Sequence, residues 1–417
     1  MNWLAFLRIL SLGLIIFTSV CYFYQFLYLF LPLLMKKKPL KEAAPHRYAI
    51  LIAARNEEAV LPHLLQSIRN QDYPQQLLSV YVVADNCTDR TAQIANSYGA
   101  TVFQRYDTNK IGKGYALDYL LTKIEEEGSL DRFDSFLIFD ADNLLEPDYV
   151  SQINHVRSAG YQAFCGFRNT KNFGTNWLTS GYGLWYIHES THLNRSRMGI
   201  GNGCAVSGTG FGFTRQLLEK IGGWHFFTLT EDLEFGAWCA SHGVKIGYCH
   251  DAVLYDEQPV TFCQSWRQRT RWAQGGIQVS FGYICSLLKG LFRGGWRGRT
   301  CFEITTLSLW GFLLGILCTI VNLTYICAAF GIFAFLAALF LCVPLSYFGA
   351  MLMGILTLAI EWKRVKATRW EKLRSVFTFP FFMMTWLPIT LAAPFQKFRW
   401  EPIYHTVAIT ADSLQMR

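Results

Sequence analysis

"DSFLIFDADN", residues 134–143, runs four apolar side chains together, from Phe136 to Phe139, and then stops on two aspartates, Asp140 and Asp142. An uninterrupted apolar run of this length reads as a strand buried on both faces, as in a parallel sheet. Two carboxylates within one turn of loop repel each other, so they are stable mainly with a divalent cation between them and an anion. A nucleotide diphosphate supplies such an anion, and Mg²⁺ or Mn²⁺ takes hard oxygen ligands and neutralises a leaving group. The same three residues in a solvated loop would mean little. The buried strand leading into them sets this pair apart.

The surrounding residues repeat the pattern. "YAILIAA", residues 48–54, reads as a strand that ends at "RNEE", with a helix carrying Leu61, Leu64, Leu65 and Ile68 behind it. "LSVYVVAD" reads as a second strand, "TDRTAQIANSYG" as a helix from Thr88 to Gly99, and "ATVFQR" as a third strand. Strands alternating with helices predict an α/β sheet, in which ligands collect beyond the carboxyl ends of the strands. Those ends carry Glu57, Asp85, Asp140 and Asp142. Asp85 could serve as a helix cap, yet Asp85, Asn86, Thr88 and Asp89 offer more polar groups than one cap uses. A carboxylate at Asp85 suits the N–H of uracil. "KIGKGYAL", residues 110–117, sets Lys110 and Lys113 beside glycines, as a loop approaching phosphate oxygens requires, and the absence of P-loop spacing argues against an ATPase. "TLTEDLEFG" places Glu231 and Asp232 ahead of a helix. They are either first-turn acids beside an N-cap at Thr230 or a base for an attacking hydroxyl. "QSWRQRTRWAQGG", residues 264–276, packs three arginines and two tryptophans into a helical period, a composition suited to a membrane surface.

With 52% hydrophobic and 16% charged residues among 417, part of the chain belongs in lipid. Residues 3–34 carry one charge, Arg8, and exceed the roughly 20 residues of a crossing; a signal peptide would be shorter in its apolar core. Residues 304–360 carry none and predict two spans. Residues 376–395, broken by Pro380, Pro388 and Pro394, are expected to lie in the membrane without crossing it. The basic stretches "KKKPLK" and "EWKRVKATRWEKLR" place the intervening domain in the cytoplasm. The net charge of +8 is explained by these flanks and calls for no nucleic-acid partner. The twelve cysteines read as reduced, and Cys239, Cys249, His250 and Cys263 lack zinc-site spacing. The expected organisation is a transmembrane helix at 1–35, a catalytic domain at 45–260, interfacial amphipathic helices at 261–300, transmembrane helices at 303–395 and a tail at 396–417.

Taken in order, Asp85, Asp140-Ala-Asp142, Thr230-Glu231-Asp232 and Gln268-Arg-Thr-Arg271-Trp272 resemble the motifs of the membrane-embedded family 2 glycosyltransferases. These are processive polysaccharide synthases such as the cellulose, chitin, hyaluronan and poly-N-acetylglucosamine synthases. The resemblance spans the catalytic domain and the following helix. It implies an α/β GT-A-like nucleotide-sugar-binding domain inserted between transmembrane helices, and a metal-dependent, inverting hexosyltransferase. By that resemblance a UDP-sugar of glucose or N-acetylglucosamine type is transferred to a growing β-linked polysaccharide at the membrane. Two alternatives are transfer of a single sugar to a lipid acceptor and a non-catalytic component of polysaccharide export. The resemblance implies that Glu57, Asp85, Lys113, Asp140 and Arg271 hold the nucleotide sugar, with Asp85 on uracil and Arg271 on the diphosphate. Asp142 and Asp140 would hold Mg²⁺ or Mn²⁺, and Asp232, beside Glu231, would be the base. Trp272 would lie under the acceptor with Gln268, and "SGTGFGF", residues 207–213, would bring Gly208, Thr209 and Gly210 to the acceptor side. The chain departs from the family in having fewer spans, so its own three or four would enclose a polymer channel only marginally, or by pairing with another subunit.

Overall fold

The computed structural model describes residues 2–35 and 43–396. The basic stretch at 36–41 and the tail beyond 396, on which two of the expectations above rest, lie outside the described residues. A long helix, α1 (Trp3–Leu34), precedes an eight-stranded mixed sheet. Its strands are β1 (Tyr48–Ala54), β2 (Leu78–Asp85), β3 (Thr101–Arg105), β4 (Ser135–Asp140), β5 (Leu144–Leu145), β6 (Ala163–Thr170), β7 (Phe211–Thr214) and β8 (Ile246–Asp256). They lie in the order β3-β2-β1-β4-β7-β6-β8-β5.

The first four strands to appear in the chain are mutually parallel, and the expected placement of Glu57, Asp85, Asp140 and Asp142 at one sheet edge follows. β1 explains why its sequence is apolar throughout. Ala49 and Leu51 enter one buried cluster while Tyr48, Ile50 and Ile52 enter another on the opposite face. Burial of Ile50, Leu51 and Ile52 contributes roughly 1.5–3 kcal/mol each relative to exposure. β7 then enters antiparallel to β4, so "FGFT", expected as part of a glycine loop, is a strand. Gly212 permits the pairing, because a Cβ there would lie 2.4 Å from the Phe136 carbonyl oxygen.

Helices α2 (Leu61–Arg69), α3 (Thr91–Ser97), α4 (Lys113–Glu126) and α5 (Tyr149–Ser158) connect the early strands. The helix expected from Thr88 begins at Thr91, because the Asp89 carboxylate caps it, accepting from Thr91 N at 3.0 Å. Thr88 N is instead held by Asn56 Oδ1 at 2.8 Å. Between β6 and β7, α6 (Trp177–His188) passes through a π-helical turn (Glu189–Asn194) into α7 (Arg195–Gly199). α8 (Arg215–Ile221) and α9 (Glu231–Ser241) separate β7 from β8.

After the sheet come α10 (Phe262–Leu291), α11 (Gly295–Leu307), α12 (Leu309–Phe330), α13 (Ile332–Glu361), α14 (Arg369–Met384) and α15 (Trp386–Ala392). The second helix of the expected interfacial pair runs past residue 300. It yields to α12 at Ser308, whose hydroxyl accepts from Trp310 N at 3.3 Å. Among the described residues four stretches are long and apolar enough to cross a membrane: Trp3–Leu34, Leu309–Phe330, Ile332–Glu361 and Arg369–Phe395. The last contains residues 376–395, expected to lie in the membrane without crossing it, and its length and composition would also suffice for a crossing. Pro380 lies inside α14, Pro388 in the first turn of α15 and Pro394 in the 3₁₀ turn after it, and a third of the segment's most apolar window is buried within the protein, against α6 among others.

A buried polar cluster ties these helices to the sheet domain. Glu303 on α11 accepts from Tyr28 of α1 at 2.6 Å, from Arg197 Nε of α7 at 2.7 Å and from Asn202 at 2.6 Å. A buried carboxylate persists only when paired and hydrogen-bonded, and this one is satisfied from three directions.

Candidate active site

The strand ends, the α9 N-terminus and the first turns of α10 enclose one cavity of about 1040 Å³. Glu57, Asp85, Lys113, Asp140, Asp142, Gly208, Glu231, Asp232, Gln268, Arg271 and Trp272 all line it. Residues far apart in the chain thus share one wall, and each is held differently.

Asp85 is buried and paired, with Arg105 Nη1 2.6 Å from its Oδ1, to which Asn86 also donates at 3.0 Å. Arg105, at the end of β3, had no motif to mark it. The Asp140 carboxylate accepts from Lys113 Nζ at 2.5 Å, and the same ammonium donates to the Gly208 carbonyl at 2.6 Å and stands 3.9 Å from Glu231 Oε1. Burial works against the Lys113 charge, but Asp140 and Glu231 outweigh it and hold its pKa above the ordinary range. Lys113, expected to reach toward phosphate, is therefore a bridge between three elements as well as a wall of the cavity.

Asp142 is buried, and its Oδ2 accepts from the backbone of Glu257 at 2.8 Å. Burial, with Asp142 and Asp140 acting on it, pushes the Glu57 carboxyl up to about 9. Negative potential is thus concentrated at this end of the cavity. Among the described residues no three His, Cys, Asp or Glu side chains converge on one cation position. Two carboxylates are the usual protein contribution where phosphates and water complete an octahedral Mg²⁺-type shell. The donor set fits Mg²⁺ or Mn²⁺.

Glu231 and Asp232 open α9, where the helix dipole favours negative charge. Asp232 accepts backbone N–H bonds from Leu233 and Gly208, and burial nevertheless raises both carboxyls above the usual range. The structure separates the expected acceptor loop. Gly208 faces the cavity, but Thr209 and Gly210 do not line it. The Thr209 hydroxyl donates to Asn143 Oδ1 at 2.5 Å and accepts from Asp140 N at 3.0 Å. The Gly210 carbonyl accepts from Tyr149 at 2.8 Å, and a Cβ at Gly210 would lie 1.9 Å from Leu254. These two residues fasten the loop to β4 and the core.

Arg271 Nη1 donates to the Leu229 carbonyl at 3.0 Å, which ties α10 to the segment just before Glu231. The Trp272 ring lies near parallel to Trp386, centroids 6.2 Å apart, with Tyr182 and Tyr186 at its edges. The residues rejected as a zinc set are apart in function too: His250 pairs with Glu361 at 3.1 Å, and all the cysteines among the described residues are free. Arg168 and Glu189 also line the cavity and were not singled out from sequence. A charged side chain inside an apolar strand or helix was the available signal.

A family model described as "Glycosyltransferase like family 2" matches residues 45–275, and the chain belongs to that family. It is 28% identical over 278 residues to a β-monoglucosyldiacylglycerol synthase of Synechocystis sp., covering 64% of this chain and 53% of that protein. It is 23% identical over 244 residues to a poly-β-1,6-N-acetyl-D-glucosamine synthase of Staphylococcus epidermidis, covering 58% of this chain and 57% of that one. The chain thus spans little more than half the length of these curated relatives. Among solved structures, a mannosyltransferase from Pyrobaculum calidifontis, in complex with GDP-Man and Mn²⁺, superposes with a TM-score of 0.55 at 18% identity. The match covers 93% of this chain and 98% of that one. The fold is GT-A-like, flanked by helices capable of spanning a membrane.

Proposed function

We propose that the protein transfers a hexosyl group from a UDP-sugar, with inversion, to a hydroxyl of a lipid-borne acceptor. The observation that carries this reading is the extent of the cavity. Beyond Asp232 it continues past Ile304 and Leu307 of α11 to Leu309 and Phe312 of α12 and Trp386 of α15. An acceptor with an apolar tail in the bilayer can thereby bring its head to the acidic residues. The similarity to β-monoglucosyldiacylglycerol synthases supports the same reading.

In this scheme Asp85 and Glu57 bind the nucleoside part, and Arg271 and Lys113 face the diphosphate. The acceptor oxygen attacks the anomeric carbon while its proton passes to the Asp232 carboxylate, and the bond from that carbon to the phosphate oxygen breaks to release UDP. Two backbone N–H groups orient Asp232 for this work. A divalent cation held by Asp142 and Asp140 would neutralise charge on the departing diphosphate. The basic loop at 361–374 supports a cytoplasmic site.

A second reading, extension of a β-linked polysaccharide, is favoured by Gln268, Arg271 and Trp272 in one cavity wall and by the similarity to poly-β-1,6-N-acetyl-D-glucosamine synthases. The test is incubation of the reconstituted protein with labelled UDP-glucose or UDP-N-acetylglucosamine. The acceptors are dioleoylglycerol, dodecyl β-glucoside or a β-linked oligosaccharide. A glycolipid on thin-layer chromatography supports the first reading, and polymer retained on a gel the second. Absence of UDP release with every pair overturns both and leaves a non-catalytic role.

A further inference from the structure

The continuous helical passage from α6 through the π-helical turn into α7 presents Trp185, Glu189, Leu193 and Arg197 to the cavity. These residues are four apart. In an α-helix four residues overshoot the 3.6-residue turn by about 40°, and three such steps would carry the row off any single face. The wider turn at Glu189–Asn194 returns it, so one row faces the cavity while His188 and Thr191 face Thr357 and Glu361 of α13. π turns of this kind inside helices are frequent at functional sites.

Of the four, Arg197 is bound to Glu303, while Trp185 and Leu193 supply ring and aliphatic surface. Glu189 places a carboxylate in the wall, hydrogen-bonded by the Ser207 hydroxyl. A carboxylate offers about four acceptor positions, so capacity remains for a ligand. The next residue, Gly208, donates its N–H to Asp232. Successive residues of one loop therefore hold the two carboxylates, and loop Cα atoms are about 3.8 Å apart.

Building on the proposed transfer to a hydroxyl acceptor, we infer that Glu189 is the acceptor-specificity residue. It accepts a hydrogen bond from a hydroxyl neighbouring the one that Asp232 deprotonates, with Trp185 flanking the head. The acceptor class is then a lipid-borne head with neighbouring hydroxyls, such as a glycosyl head, and an acceptor with a single hydroxyl, dioleoylglycerol included, is a poor substrate.

The experiment compares dodecyl β-glucoside with 1-dodecanol as acceptors for the wild type, Glu189→Leu and Glu189→Gln, using full-length protein in nanodiscs and UDP release as the readout. The expected result is a KM for dodecyl β-glucoside raised about tenfold or more in Glu189→Leu, the loss of one hydrogen bond to a charged group. Use of dodecanol, the KM for the UDP-sugar and UDP affinity by calorimetry should be unchanged. If Glu189→Leu fails to bind UDP, Glu189→Met, which also lacks an acceptor oxygen, carries the comparison, while Glu189→Gln keeps one and should retain much of the wild-type KM. Equal changes for both acceptors, or no change for either, overturn the assignment. Methyl β-glucoside separates this inference from the lipid reading. Should it serve as well as the dodecyl compound, the lipid reading fails, and the same KM comparison on methyl β-glucoside still decides Glu189.

Discussion

Lys113 Nζ lies 2.5 Å from Asp140 Oδ1, at the point where the strand that carries Asp140 and Asp142 meets the first turn of α4. Because that ammonium also holds the Gly208 carbonyl, it fixes the end of β4 against the loop that carries Gly208. Replacing Lys113 by Met is expected to lower kcat/KM by on the order of 10²-fold, as loss of a preorganised charge does. Arginine should not restore it, since a planar fork cannot occupy the place of a compact ammonium. UDP-release kinetics of both variants check this; near-normal activity in Lys113→Arg would reduce the residue to a generic cation.

Asp232→Asn should keep UDP affinity and lose transfer by about 10²- to 10⁴-fold, the range for removal of a general base. The sign of its pH dependence follows from burial. A base works when ionised, and burial raises the Asp232 carboxyl above the usual range, so activity is lost on the acid side at a pH above ordinary carboxylate titration. A kcat/KM profile flat down to the ordinary carboxylate range would count against Asp232 as the base.

Chelation by EDTA, or Asp142→Asn, should abolish turnover while the thermal unfolding temperature of the metal-free protein hardly moves. Calorimetric titration with Mn²⁺ in the presence of UDP measures the site directly. Undiminished turnover in EDTA would remove the cation from the scheme.

Arg197→Met should destabilise the protein by about 3–5 kcal/mol, because it strands the Glu303 carboxylate in a buried setting. The double variant Arg197→Met, Glu303→Leu is expected to recover much of that loss. Unfolding in detergent followed by tryptophan fluorescence separates the two, and equal stability of the single variant and the wild type would show that the pair carries no weight.

Residues 136–139 and Asp140, Tyr48–Ala54 and the apolar helices announce themselves locally, because a strand buried on both faces and a helix in lipid can each be built only from runs of apolar side chains. Composition and order alone therefore determined an α/β domain with acidic strand ends beside helices apolar enough to span a membrane. Tertiary structure decided what each polar group is free to do. Thr209 and Gly210 read as acceptor residues, yet the antiparallel entry of β7 turns one toward Asn143 and presses the other onto Leu254. Asp85 reads as a helix cap or a carboxylate for uracil, and the parallel neighbour β3 delivers Arg105 to it. Glu189 carries no motif, and only the π turn and the packing of α13 behind it direct its carboxylate into the cavity. Burial pattern is a property of a few adjacent residues, whereas the pairing of a buried charge depends on which distant strand or helix arrives beside it.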